Sequence, residues 1–546
     1  MDTKYIFSLE YSIQQSIYIG ITNLYKDITY RWLRMVEKTV QEINQKIKDG
    51  SVHVVTAEQM TGIVEELGPE DAAREVDVVT TGTFGAMCSS GAFLNFGHSD
   101  PPIKMQRVWL NDVEAYGGIA AVDAYIGATQ LSESRGMEYG GGHVIEDLVA
   151  RKSVHIRAVA YGTDCYPRKN IETEITIDDL NQAIMLNPRN AYQRYNVATN
   201  SSDRTLYTYM GTLLPNYGNA TYSGAGVLSP LYNDPDFETI GRGSKIFLCG
   251  APSYIIGEGT QHEPQNDFAT IMVTGDLKEM SREFLRGAAF HGYGATLYVG
   301  LGIPIPILNE NIAKKTGISD ADIITNVLDY SSPRRSRPTL RKVSYEELKS
   351  GTIELDGKEV RTSPLSSFFM ARKVASTLKH WIEQGNFMLS QPMEKLPTDT
   401  VFGPMKQTKE TPLVKDVMSR KMITIRQGKS VEDAAKLIMR GQSTHLPVTS
   451  EDDRLIGIIT AWDISKAVAQ GKYDKLDRTM TRRVITATLD EPIDVTARKL
   501  EKHNISALPV IDKDGKVIGM ITSDDISRLI AKRNGCHPQA PLEGKQ

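Results

Sequence analysis

Four cysteines in 546 residues, at positions 88, 165, 249 and 536, are too few for a disulfide framework. No Cys-x-x-Cys pair and no Cys/His grouping has zinc or iron–sulfur spacing. Positive charge is not in excess either. A formal net charge of −4 argues against a general nucleic-acid or anionic-membrane binder, which needs a basic surface. No G-x-G-x-x-G lies between a strand and a helix, so a nicotinamide or flavin fingerprint is missing. Residues 1–34 have no basic segment followed by an apolar one, and polar residues break every apolar run; this excludes a signal peptide and a membrane span there. Sparse, unpaired thiols point to a reducing cytoplasm.

What is present is the composition of a soluble globular protein, 40% hydrophobic and 24% charged, with enough chain for two to four domains. A helical pattern opens at Met35, with Val36, Val40, Ile43 and Ile47 on one face and Gly50 as the stop. Residues 1–34 therefore read as a dispensable N-terminal extension. From 35 to 391, strand-like runs alternate with glycine-rich loops and helical patterns, the mark of a large mixed α/β domain. Strands are expected at 76–82, 153–162, 244–250 and 270–277. Helices are expected at 117–131 and 364–385, the latter with Pro at its start and Gly at its end. Residues 392–412, rich in Pro, Thr and Lys, read as a linker.

Beyond the linker lies an internal repeat. "VMSRKMITIRQGKSVEDAAKLIMRGQSTHLPVTSEDDRLIGIITAWDIS" (417–465) aligns without a gap on "TMTRRVITATLDEPIDVTARKLEKHNISALPVIDKDGKVIGMITSDDIS" (479–527). Met418/Met480, Pro447/Pro509, Gly457/Gly519, Thr460/Thr522 and Asp463/Asp525 are each 62 positions apart. Each copy exposes one apolar sheet face, so the two are expected to pack face to face, as units 413–472 and 473–533 before a tail at 534–546. The pair strongly resembles tandem CBS domains, modules that sense adenosine-containing ligands. The resemblance implies that Asp463 and Asp525 bind ribose hydroxyls and that Thr460 and Thr522 contact the polar tail of S-adenosylmethionine, AMP or ATP. A carboxylate suits a vicinal diol and a hydroxyl at a helix start suits an anion. The plainer reading is that each Thr only caps its helix.

In the large domain, Cys88 sits in "TTGTFGAMCSSG", where small residues permit close backbone approach. That suits a reactive thiolate, and equally a passive cysteine in a glycine-rich turn. Cys165 in "AYGTDCYPRKN" precedes Arg168 and Lys169, cations expected to favour its thiolate. Cys249 ends an apolar strand and reads as core; Cys536 lies in a polar tail. His98, His143 and His262 occupy glycine-rich loops suited to acid–base work or substrate binding. The basic stretch 331–342 reads as a solvated loop able to meet a carboxylate or phosphate.

The segments "GTFGAMCSSGAFLNFGHSDPPIKM", "EAYGGIAAVDAYIGATQ", "YGGGHVIEDL", "AYGTDCYPR" and "LCGAPSYIIGEGTQHEP", followed by the CBS pair, closely resemble the archaeal homocysteine-biosynthesis family. Its members are described as L-aspartate semialdehyde sulfurtransferases. The resemblance maps that family's two functional cysteines onto Cys88 and Cys165 and implies that one carries sulfur as a persulfide. The cations beside Cys165 favour it as carrier, with Cys88 at the substrate or as resolving thiol. Converting –CHO to –CH2–SH needs electrons as well as sulfur, and the resemblance implies a ferredoxin-like iron–sulfur partner; no covalently bound cofactor is expected. A homodimer through the CBS pair is expected. Two other classes fit the same residues. One is a non-catalytic adenosyl-ligand sensor, the other an acyl-transfer enzyme using Cys88 with His98 or His143 as base.

Overall fold

The computed structural model describes residues 36–332, 337–403, 412–471 and 475–533, the last four without their side chains beyond Leu529. Residues 1–34 and Cys536 lie outside the described residues. The chain divides into two compact units, Met1–Phe402 and Gly403–Gln546.

Helix α1 (Val40–Asp49) starts five residues after the pattern opens, because Thr39 and Glu42 form a reciprocal capping box. Gly50, at φ 71°, ends it in the left-handed region that only glycine enters cheaply. Val40, Ile43 and Ile47 are buried as expected. Lys38 and Lys46 reach the buried carboxylate of Asp77 at 2.9 and 2.7 Å. Asp77 precedes strand β1 (Val78–Thr80), which is shorter than the expected 76–82 because Val76 closes the preceding helix.

The centre of the large unit is a nine-stranded antiparallel sheet. Its strands are β2 (Thr83–Ala86), β3 (Gly91–Asn95), β4 (Asp123–Gly127), β5 (Gln182–Asn190), β6 (Lys245–Leu248), β7 (Ala251–Glu258), β8 (Ile271–Asp276), β9 (Leu285–Phe290) and β10 (Gly294–Gly302). They lie in the order β9-β10-β6-β7-β8-β5-β3-β4, with β2 also paired to β10. A separate six-stranded sheet carries Val197–Thr199 paired to Ile324–Asp329.

The helix expected at 117–131 is not formed. Ala124 and Ile126 are buried while Asp123, Tyr125 and Gly127 are half-exposed, a period of two that makes this segment β4. The expected helix at 364–385 is α2 (Phe368–Glu383), capped by Ser367, with Ala371, Val374, Ala375, Leu378 and Ile382 facing the core. Pro364 ends the strand before it and is not its first residue. The expected linker also begins late: Glu394–Lys395 pair with Gly241–Arg242, and Leu396 is buried.

In the second unit the two repeats are related by a pseudo-twofold exchange. Ser419 pairs with Met520, and the equivalent positions Thr481 and Ile458 pair in turn. Arg454 pairs with Lys516, its own counterpart 62 positions on. The equivalent glycines obey the same rule, since a Cβ on Gly457 or Gly519 would meet the sulfur of Met480 or Met418. Leu446, Val448 and Ile459 in one copy, and Leu508, Val510 and Ile521 in the other, are the buried strand positions that the repeat alignment equates.

Candidate functional site

The β2–β10 register, Thr83 opposite Leu301 through Ala86 opposite Tyr298, continues past the strand end. Met87 N–H donates to the Leu297 carbonyl at 2.8 Å, and one residue later Cys88 Sγ stands 3.3 Å from Thr296 Oγ1. A turn closed by Ser90 N–H on the Met87 carbonyl then reverses the chain into β3. Strand β5 is irregular between Asn187 and Asn190, and there it meets this turn. Asn187 Nδ2 donates to Ser90 Oγ at 3.0 Å and Ser89 Oγ donates to the Arg189 carbonyl at 3.3 Å. The Arg189 guanidinium is held by Thr260 Oγ1 (3.1 Å) and Gln261 Oε1 (2.6 Å).

Cys88 and Arg189 open onto a cavity of about 630 Å³, whose lining includes Tyr330 and Arg337 from the segment between two paired strands of the six-stranded sheet, Ile324–Asp329 and Thr339–Ser344. Tyr192, Tyr195, Tyr209 and Tyr293 add an aromatic lining, and the described residues of the lining include neither a carboxylate nor an imidazole. Burial pushes the Tyr192 phenol up to about 12 and Tyr195 well above its ordinary value, so both stay protonated near neutrality. Burial also raises the Cys88 thiol, outweighing the Thr296 hydrogen bond and the charge of Arg189. Of the two readings that the sequence leaves open for this loop, the surroundings of Cys88 favour the thiol over the thiolate.

Cys165 lies elsewhere on the surface of the fold. It sits exposed at the tip of the hairpin joining Val154–Val159 to Asn170–Ile175, in a turn where Thr163 and Tyr166 exchange backbone hydrogen bonds. The Arg168 guanidinium donates to the carbonyls of Asp100 (2.6 Å) and Pro101 (3.0 Å). That contact ties the His98 loop to the Cys165 hairpin, and the exposed His98 ring stacks on Tyr166 at 5.8 Å.

The other two histidines hold structure together. His143 Nδ1 accepts Gly140 N–H at 3.2 Å and its ring stacks on Tyr139, and burial lowers its basicity. His262 is buried, with Nδ1 receiving Thr270 N–H (3.0 Å) and Nε2 donating to the Pro397 carbonyl (2.9 Å). Neither they nor His98 is among the described residues that line the Cys88 cavity. Cys249 is fully buried, its thiol pushed up to about 12 by desolvation, in line with a core role.

The three glycines of "YGGGH" serve close packing. A Cβ on Gly141 would fall on the Gly127 carbonyl, and one on Gly142 on the carbonyl of Thr296, whose hydroxyl touches Cys88. Gly142→Ala should therefore cost roughly 1–3 kcal/mol of stability and displace Thr296. Denaturant unfolding and the alkylation rate of Cys88 measure the two effects, and a variant unchanged in both removes this role.

In the second unit, Thr460 Oγ1 accepts Asp463 N–H at 3.2 Å, while Asp463 Oδ2 accepts both the N–H (2.9 Å) and the hydroxyl (2.7 Å) of Thr460. Thr522 and Asp525 repeat this at 3.1, 3.0 and 2.7 Å. Capping is thus a real role of both pairs. His445 Nε2 lies 3.2 Å from Ser506 Oγ, joining the copies beside the first pair.

The cavity residues missed by sequence reasoning are Arg189, the tyrosines, and Arg337, which lies inside the basic stretch read as solvated. The crowding of tyrosine between 192 and 232 was the available signal.

The large unit thus carries a cysteine beside an arginine in a phenol-lined cavity, and the second unit is a duplicated module. The chain belongs to the family described as homocysteine biosynthesis enzyme, sulfur-incorporation, whose model matches residues 52–389; CBS domains match at 414–470 and 475–532. It is 60% identical to the L-aspartate semialdehyde sulfurtransferase of Methanosarcina acetivorans, over 91% of this chain and all of that one. It is 54% identical to the protein of the same name from Methanocaldococcus jannaschii, over 91% of this chain and 99% of that one. A solved CBS domain pair in complex with 5′-methylthioadenosine and S-adenosyl-L-methionine is 46% identical over 22% of this chain and 98% of its own, with a TM-score of 0.22. Among the described residues no helix is long and apolar enough to cross a membrane.

Proposed function

We propose that the chain forms L-homocysteine from L-aspartate semialdehyde, with Cys88 as the thiol at which sulfur meets the aldehyde. The observation that carries this is the placement of Cys88 in a cavity whose described lining residues include the guanidinium groups of Arg189 and Arg337 and no acidic side chain. Such a cavity suits a small aldehyde bearing a carboxylate. Cys165, exposed at a hairpin tip, is the thiol placed to take up sulfur as a persulfide from a sulfane-sulfur donor, its thiolate attacking the donor's outer sulfur and releasing the donor's own thiolate; sulfide itself serves only where a two-electron oxidant is supplied. A persulfide is a stronger acid than a thiol, so its terminal sulfur ionises where Cys88 itself stays protonated. Its attack on the aldehyde carbon gives a hemithioacetal-type adduct, whose hydroxyl leaves as water with a proton.

The electron balance fixes what else is needed. Sulfide and the aldehyde give the thiol and water with two electrons and two protons; sulfane sulfur needs four of each. No residue of the cavity supplies them, so an external reductant of the ferredoxin-like iron–sulfur class belongs to the reaction. Intact mass after incubation with sulfide under mild oxidation, followed by peptide mapping, tests the carrier. A one-sulfur increment on neither Cys88 nor Cys165 rules the persulfide out.

The CBS pair, in this proposal, binds an adenosyl ligand, dimerises the chain and adjusts turnover. S-adenosylmethionine, formed downstream of homocysteine, would give end-product feedback; AMP or ATP is the alternative. The duplicated Thr–Asp pair supports this, because the capping box uses only Oδ2 of each aspartate and leaves Oδ1 for ribose. Asp463→Ala and Asp525→Ala should each weaken one site roughly tenfold or more. Calorimetric titration of the full chain reads this directly, and the absence of heat with all three ligands would reduce the module to a dimerising element. Feedback further requires the ligand to prefer one state of the enzyme, so activity with and without it must differ.

A further inference from the structure

We propose that Arg337 is the anchor for the substrate's carboxylate and so sets the choice of aldehyde, while Arg189 serves the sulfur on Cys88. This builds on the reaction proposed above. The two cations divide by what already holds them. Arg189 is fastened by Thr260 and Gln261, and its charge acts on Cys88. Arg337 is positioned but unsatisfied. Its guanidinium lies 3.7 Å over the Tyr330 ring, one Nη donates to Tyr209 Oη at 3.2 Å, and its Nε is buried with no hydrogen-bond partner.

A buried N–H of a cation left unpaired is costly, and an incoming carboxylate would relieve that cost with the fork geometry arginine offers. Among the described residues, no carboxylate lines the cavity to take that place. The base of the Arg337 loop is rigid. Asp329 accepts hydrogen bonds from the N–H and hydroxyl of both Ser201 and Ser331, and its own N–H donates to the Pro338 carbonyl at 3.1 Å. A guanidinium stacked on one phenol and bonded to another is thus presented to the cavity at a fixed place.

The test uses the full chain and two readouts. In the first, alkylation of Cys88 by iodoacetamide is slowed by L-homoserine, an unreactive analogue that keeps the carboxylate, and not by 2-aminobutane-1,4-diol, which lacks it. Arg337→Met should raise the half-protecting homoserine concentration about ten- to a hundredfold, with Arg337→Lys between the two because a point charge replaces a fork. In the second, Arg337→Met should raise KM for aspartate semialdehyde by a similar factor, with kcat/KM for 3-aminopropanal, which has no carboxylate, unchanged.

Equal protection of wild type by the diol or by inorganic phosphate, no protection by homoserine, or an unshifted variant would each overturn the assignment, as would equal losses on both aldehydes. If the protection pattern holds but wild type makes no homocysteine with a sulfane-sulfur donor and reductant, the anchor stands and the reaction falls.

Discussion

Replacing Cys88 by serine is expected to lower homocysteine formation on the order of a thousandfold or more, the scale on which enzymes lose turnover when a covalent nucleophile is removed. The substitution is nearly isosteric, and the Thr296 hydroxyl 3.3 Å away can bond a serine as well as a thiol. Stability should therefore change little, and lost activity would report chemistry. Cys249→Ser should behave in the opposite way. Its site is wholly buried, so the new hydroxyl needs a partner there; roughly 1–3 kcal/mol of stability is at risk while the folded fraction turns over normally. The pH profile adds an independent check. Because burial raises the Cys88 thiol, its alkylation should keep climbing with pH beyond the ordinary thiol range. Full activity in Cys88→Ser protein would end the assignment of this cavity as the reaction site.

The parts of this molecule that were legible in the sequence are those whose signal is local or repeated. The 62-residue offset gave the CBS pair because each apolar strand and each Thr–Asp pair occurs twice, and the pseudo-twofold pairing of Ser419 with Met520 and Thr481 with Ile458 is the physical counterpart of that repetition. Helix α2 was legible from its apolar face, and Cys249 from the run of large side chains before it. The cavity was not legible, because its walls come from β2, the irregular end of β5, the β9–β10 turn and a loop beyond residue 330, brought together by strand order alone. Glycine misled for a related reason. "YGGGH" read as a loop made for a working histidine, whereas the glycines permit backbone contacts with strands far away in sequence. At 117–131 the period-two pattern was present, but Ala and Gln favoured the helical reading; burial of alternate residues against β3 decided for a strand.

Asp77 offers the second large effect, this time on stability, and it reaches the site through the backbone. Its Oδ1 accepts from Lys38 and Lys46 and its Oδ2 from His53 N–H at 3.0 Å. Its own backbone joins three segments: the N–H donates to the His53 carbonyl, and the carbonyl accepts from Ile307. From there β1 pairs with Val54–Thr56 on one side and Pro304–Pro306 on the other, then leads through Thr81 and Gly82 into β2 and Cys88. Asp77→Asn should cost roughly 3 kcal/mol at pH 7, near the lower end for a broken buried ion pair because Lys46 remains half in solvent and Lys38, though it loses its counter-ion, keeps its bonds to the Val76 and Arg74 carbonyls. The sign of the pH dependence follows from the carboxyl itself. Burial acts to raise its pKa, but the His53 N–H and the two lysines outweigh this and hold it below the ordinary aspartate value. A depressed folded pKa contributes stability that is complete above the unfolded value near 4 and fades only as pH falls through the lower folded value. Denaturant unfolding should therefore show the same gap between wild type and Asp77→Asn at pH 5 and pH 7, narrowing only below about pH 4. A gap under about 1 kcal/mol at neutral pH, the range of a surface pair, would show that the lysines are solvated and that Asp77 does not hold α1 against β1.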